Sequence, residues 1–118
     1  MALRGLKVIE MAGLAPIPYC GQILKDYGAN VIRIDRAGTQ DFGIIPQGQR
    51  LYLGSSFNLD QQSRGKHSVA VNMKSPGGQQ VIQDLSDKSD VILDPFRPGV
   101  MERLGCGPGR FIRKKGWY

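Results

Sequence analysis

An α/β fold built on a Rossmann-like parallel sheet with flanking helices is predicted by three features of this chain. Short apolar runs bounded by turns alternate with helical stripes. Their order is strand, helix, strand, a long connection, then strand, helix, strand, and right-handed crossovers of that kind lay their strands parallel. Two of the strands also run out into a cation, Arg36 and Lys74. Ligands of open α/β sheets sit in the crevice at the carboxyl ends of the strands, so these two side chains are expected to flank one opening suited to a phosphorylated ligand.

The first strand is read at Lys7–Met11, short and apolar, followed by a turn through Ala12, Gly13 and Pro16 whose second proline, Pro18, suits the first helical position. From Tyr19 to Tyr27 the larger side chains Tyr19, Cys20, Ile23, Leu24 and Tyr27 form a helical stripe, and Gly28 is its stop. The second strand spans Asn30–Asp35. The Gly-, Gln- and Ser-rich stretch 37–63 is assigned no fixed structure; a connection of that length inside a compact domain is a functional loop or an insertion. A third strand follows at Ser68–Asn72. Ser75 is then a natural N-cap with Pro76 at the first helical position, and Val81, Ile82 and Leu85 form the apolar stripe of the second helix, with Lys88 in its last turn. Asp90–Asp94 is the fourth strand, and Pro98–Leu104 forms a short helix closed by Gly105.

Length and composition fit one modest domain or part of one: 118 residues, 41% hydrophobic, too apolar to be disordered. The net charge of +6 is concentrated at the end, because residues 107–118 carry Arg110, Arg113, Lys114 and Lys115 with no acid. The body is left at +2, which removes a broad basic surface as an argument for nucleic acid. Cys20 and Cys106 have no metal-ligand spacing, so no metal is expected and a reducing compartment is the simplest setting. No apolar run is long enough to span a membrane, and residues 1–7 lack the apolar core of a secretory signal.

Several chemistries are disfavoured by missing motifs. The first turn lacks the Gly-x-Gly-x-x-Gly of ordinary dinucleotide binding, and there is no Walker A sequence. His67 is the only histidine, with no nucleophile elbow, so no Ser-His-Asp arrangement can be built. His67 is read as a surface or phosphate-proximal group, and Cys20 as a packed side chain.

Four segments together resemble the N-terminal part of the class III CoA-transferase family, in its branch of 2-methylacyl-CoA racemases. They are 14–20 (Leu-Ala-Pro-Ile-Pro-Tyr-Cys), 27–36 (Tyr-Gly-Ala-Asn-Val-Ile-Arg-Ile-Asp-Arg), 64–74 (Arg-Gly-Lys-His-Ser-Val-Ala-Val-Asn-Met-Lys) and 89–105, with its Asp-Pro-Phe-Arg-Pro-Gly core. The likeness covers most of residues 2–106, a CoA-binding N-terminal region, and is interrupted around 40–60. It implies an incomplete class III CoA-transferase fold whose coenzyme contacts fall on Ala15 and Pro16, on Arg36, on Val71, Asn72, Met73 and Lys74, and on Phe96, Arg97 and Arg103. Cations and turn amides at strand ends are what the several phosphate charges of CoA require. From the residues alone, Arg36 and Lys74 are equally solvated surface groups, and Arg97 and Arg103 equally partners of Asp94 or Glu102.

The activity implied by the resemblance is interconversion of (R)- and (S)-2-methylacyl-CoA thioesters by α-proton exchange, in branched-chain fatty acid and bile acid metabolism. CoA then enters as part of the substrate, with no further cofactor. Proton exchange needs two bases on opposite faces of the α-carbon and stabilisation of the enolate oxygen. In relatives these are a His and an Asp beyond the segment matched here, so this chain is expected to stop short of the catalytic residues, to carry none itself and to be inactive alone. The stretch 107–118 departs from the family pattern and is read as a divergent basic tail. The family forms homodimers and acts in peroxisomes and mitochondria, although no targeting signal is found in this chain. Three alternatives stand beside this: a noncatalytic CoA-binding or subunit-interaction fragment, a CoA-transferase of the same family, and, weakest, nucleic-acid binding by the basic tail Arg110 to Lys115 with Phe111, Trp117 and Tyr118.

Overall fold

The computed structural model describes residues 1–13, 16–37 and 64–115. Its elements are β1 Lys7–Met11, α1 Ile17–Asp26, β2 Asn30–Arg36, β3 His67–Val71, α2 Pro76–Asp87, β4 Val91–Leu93, α3 Val100–Arg103 and α4 Pro108–Lys115. The four strands form one sheet in the order β3-β2-β1-β4, with every neighbouring pair parallel. The expected α/β class and parallel sheet are therefore observed. Apart from Ala37, the stretch expected to be an insertion lies outside the described residues.

Alternation along the strands divides the core in two. Ile9, Met11, Ile34 and Val71 face α2, where Ile82 is fully buried, and Met73, Met101 and Cys106 complete that cluster. Burying an isoleucine of this kind contributes about 2–3 kcal/mol. On the opposite face Val8, Ala29 and Val31 pack with Leu3, Leu6 and Leu24 under α1.

Caps follow the local sequence. Ser75 Oγ accepts a hydrogen bond from Gly78 N at 3.0 Å, with Pro76 opening α2 as expected. Lys88 is the C-cap of that helix rather than part of its last turn. At α1 the cap is Pro16, and Pro18 occupies the second helical position instead of the first. The helix ends at Gly28, whose φ of +103° only glycine adopts without strain.

Two helix faces differ from expectation. Tyr19, Ile23 and Tyr27 point outward from α1, 59%, 40% and 59% exposed, while Gly21 and Gln22 are its buried residues. The reason is what lies beneath: the carboxyl half of that sheet face is charged, and it takes a glycine and an amide rather than aromatic rings. On α2, Ile82 and Leu85 pack inward but Val81 is exposed.

Residues past Cys106, expected as a solvated tail, include α4. Its Phe111 packs against the main core cluster, and Arg110 Nη1 lies 3.1 Å from Asp87 Oδ1 on α2. Arg113 is exposed. Among the described residues no helix is long and apolar enough to cross a membrane.

Candidate functional site

Several of the sequence-predicted residues lie at the carboxyl edge of the sheet. Arg36 ends β2 directly opposite Val71, the last residue of β3, and Ala37 N donates to Val71 O at 3.1 Å. The chain then turns through Asn72–Ser75 into α2, so Lys74 follows the end of the strand that neighbours Arg36. Both are exposed.

Residues 71–74 divide by burial. Val71 and Met73 are 5% and 8% exposed and belong to the core, and their carbonyls accept from Ala37 N and Gln79 Nε2. Asn72 and Lys74 face solvent. The turn is tightly built: Asn72 Oδ1 accepts from Lys74 N at 3.1 Å, and Asn72 O accepts from Ser75 Oγ at 3.0 Å. A β-carbon on Gly78 would overlap the Asn72 carbonyl oxygen, so α2 is pressed onto this turn. Lys74 is exposed while its amide is already engaged.

At the other end, the strand order reverses between β1 and β4, the position where open α/β sheets place their ligands. The turns after these two strands meet: a β-carbon on Gly13 would stand 2.5 Å from Pro95 Cβ. Pro16 caps α1 on this side, whereas Ala15 lies outside the described residues. Phe96 is half-buried and its amide donates to Asp94 Oδ1 at 2.8 Å; Arg97 next to it is exposed. From β3 to β4 the edge spans about 14 Å, three strand spacings. Arg103 is carried by α3 rather than by a strand end. Neither Arg97 nor Arg103 forms an ion pair among the described residues, so the alternative pairing with Asp94 or Glu102 is not seen.

Sequence reasoning missed a buried charge cluster under the start of α1. Lys66 Nζ lies 2.7 Å from Glu10 Oε1 and donates to Pro18 O at 3.0 Å, with the two side chains 2% and 0% exposed. Burial pushes the Glu10 carboxyl above its ordinary value, against the hydrogen bond and charge of Lys66 and the charge of Arg33. Beside them Arg33 Nε lies 3.1 Å from Asp35 Oδ2, which also accepts a hydrogen bond from Ser68 Oγ. Alternation in Val31-Ile-Arg-Ile-Asp35 was the available signal, since it sets Arg33 and Asp35 on one face of β2.

Other candidates are placed away from chemistry. His67 is exposed at the start of β3, the amino edge. Cys20 is half-buried and Cys106 is buried, its thiol pushed up by desolvation. Among the described residues no cluster of three His, Cys, Asp or Glu side chains has metal-binding geometry. A cleft of about 400 Å³ beside β4, α3 and α4 is lined by Val91, Ile92, Met101 and Phe111 with Asp90 and Asp94. Among its described lining residues there is no cation, which does not suit a polyphosphate.

The profile of CoA-transferase family III matches residues 3–114. The chain belongs to this family. Among curated relatives of CoA-transferase family III, human alpha-methylacyl-CoA racemase is 42% identical over 108 residues, covering 92% of this chain and 24% of the relative. Succinyl-CoA--D-citramalate CoA-transferase of Chloroflexus aurantiacus is 32% identical over 105 residues, covering 89% of this chain and 26% of the relative. The chain thus spans about a quarter of the length of the curated relatives it matches. Among solved structures, a hypothetical protein from Mycobacterium tuberculosis superposes with a TM-score of 0.77 at 31% identity, over 94% of this chain and 30% of that one. A CaiB/BaiF family protein from Brucella suis gives 0.76 at 27% identity, over 95% and 30%. The family match runs through most of α4, the segment that sequence reasoning set apart from the family pattern.

Proposed function

We propose that this chain forms the CoA-gripping part of a 2-methylacyl-CoA racemase. The observation that supports the proposal is Arg36 at the end of β2 and Lys74 in the turn that follows neighbouring β3, in a chain 42% identical to a racemase and 32% identical to a CoA-transferase. A guanidinium and an ammonium at one edge suit the phosphates of the coenzyme. Exposed Asn72 offers a polar contact further along, and Pro16, Phe96 and Arg97 lie by the turns that follow β1 and β4. Arg103 is a peripheral member of the set.

The reaction is removal and return of a proton at the carbon α to the thioester carbonyl. It requires two bases on opposite faces of that carbon. Among the described residues the carboxylates near the edge are engaged otherwise: Glu10 is buried against Lys66, Asp35 is held by Arg33 and Ser68, and Asp94 accepts from Phe96 N. The chain therefore contributes the grip on CoA and not the bases, and alone it has no racemase activity. Branched-chain acyl-CoA metabolism in peroxisomes or mitochondria, and a homodimeric parent protein, belong to the same proposal.

Isothermal titration of the chain with CoA tests the grip, repeated for Arg36→Ala and Lys74→Ala. Deuterium incorporation at the α-carbon of a 2-methylacyl-CoA tests the chemistry. Saturable binding weakened by either substitution, with no incorporation above background, is the expected result. Absence of binding, or turnover by this chain, would count against it.

A further inference from the structure

The buried cluster beneath α1 has a property that stability alone does not explain. Taking two charges out of water costs several kcal/mol each, and a well-packed apolar pair of similar volume is often as stabilising. An apolar pair could not hold a carbonyl, however, and Lys66 does so. Its ammonium bridges Glu10 on β1 and Pro18 in the first turn of α1, and its backbone leads directly into β3. Three elements that end at the coenzyme edge therefore share one cation.

The fit around the pair is close. Gly21 lets α1 settle on Glu10, since a β-carbon there would overlap Oε1 and stand 3.2 Å from Lys66 Nζ. Oε2 of Glu10 accepts no hydrogen bond among the described residues, so the carboxylate is held through one oxygen. Among the described residues the charged groups facing Glu10 are Lys66, Arg33 and Asp35, and together with Glu10 they make two cations and two anions. Glu10 is also one residue from the end of β1, where Ala12 N still pairs with Ile34 O at 2.9 Å before the chain turns toward Pro16.

We infer that the Glu10–Lys66 pair is a positioning device for the coenzyme edge, clamping the Pro18 carbonyl so that the start of α1 meets the ligand at a set height above the sheet. Neither residue touches the coenzyme. The inference rests on the CoA assignment above, and its test separates the two.

The full chain and its Lys66→Met variant are compared by amide hydrogen exchange over residues 16–22 and by titration with CoA, with Arg36→Ala as the control for a direct contact. Lys66→Met is expected to speed exchange over 16–22 while leaving α2 unchanged, and to weaken CoA binding about tenfold, the size of one lost charged hydrogen bond. Arg36→Ala is expected to weaken CoA without altering exchange. A wild-type chain that binds no CoA would overturn the CoA assignment and the inference with it. If wild type and Arg36→Ala behave as expected while folded Lys66→Met exchanges and binds like wild type, the inference alone is overturned. Should Lys66→Met fail to fold, the isosteric Glu10→Gln decides. The ratio of wild-type to variant CoA affinity is then expected to rise from about one at acid pH, where Glu10 is protonated, to several-fold at pH 8; a ratio that stays at one overturns the inference.

Discussion

Gly21 rests on the carboxylate of Glu10, so closely that a β-carbon at position 21 would overlap Oε1. Neither partner has room to yield, because Glu10 is fully buried and tied to Lys66. Gly21→Ala is therefore expected to destabilise the chain by about 3 kcal/mol, the upper range for overpacking, as α1 lifts from the sheet or the ion pair breaks. Urea unfolding followed by circular dichroism measures it. A change under 0.5 kcal/mol would show that α1 is not seated as described.

The same carboxylate sets an unusual pH dependence. Glu10 has its folded pKa raised above 4.5 by burial, so between that value and its raised one the native state binds more protons than the unfolded chain. Its contribution to stability is accordingly largest at acid pH and declines as pH rises through that window, the reverse of an exposed, salt-bridged carboxylate. Glu10→Gln removes this component. The difference in urea midpoint between wild type and variant, followed from pH 4 to 8, is expected to shift against the wild type as pH rises and then level off.

The two thiols are expected to differ in reactivity. Cys106 is buried in the main core and its thiol is pushed up by desolvation, with Arg110 only partly offsetting this, whereas Cys20 is half-buried on α1. A disulfide reagent should modify Cys20 in the native chain and reach Cys106 only on unfolding. Equal rates at both sites would contradict the placement of Cys106.

Helix α4 is expected to be part of the folded unit. Phe111 packs on the core and Arg110 meets Asp87, so Phe111→Ala should cost about 2 kcal/mol, less than a fully buried phenylalanine, and Arg110→Ala under 1 kcal/mol. Denaturant midpoints of the two variants check this. Wild-type stability of Phe111→Ala would return residues 108–115 to the status of a solvated tail.

Much of the frame was legible because it depends on local chemistry. Ser75 before Pro76 marks a helix start in any context, and Lys7–Met11 is the observed first strand to the residue. The strand-end position of Arg36 needs only the β-strand pattern to be read. The charged cluster was not legible, since it depends on register: Glu10 meets Arg33 through the pairing of β1 with β2, and Lys66 arrives from 56 positions further along the chain. Tyr19, Ile23 and Tyr27 misled for a related reason. Their helical spacing is real, but what a helix buries is decided by the surface beneath it, which here called for Gly21 and Gln22.

The central proposal is that Arg36, at the end of β2, and Lys74, in the turn after β3, grip the phosphates of CoA. Titration of the wild-type chain, the two single alanine variants and the double variant with CoA tests it most directly. Each single substitution is expected to weaken binding about tenfold or more, as the loss of a charged hydrogen bond requires, with the double variant weaker than either and the wild-type affinity falling as salt is added. Wild-type affinity in the double variant, with the fold intact by circular dichroism, would contradict the account.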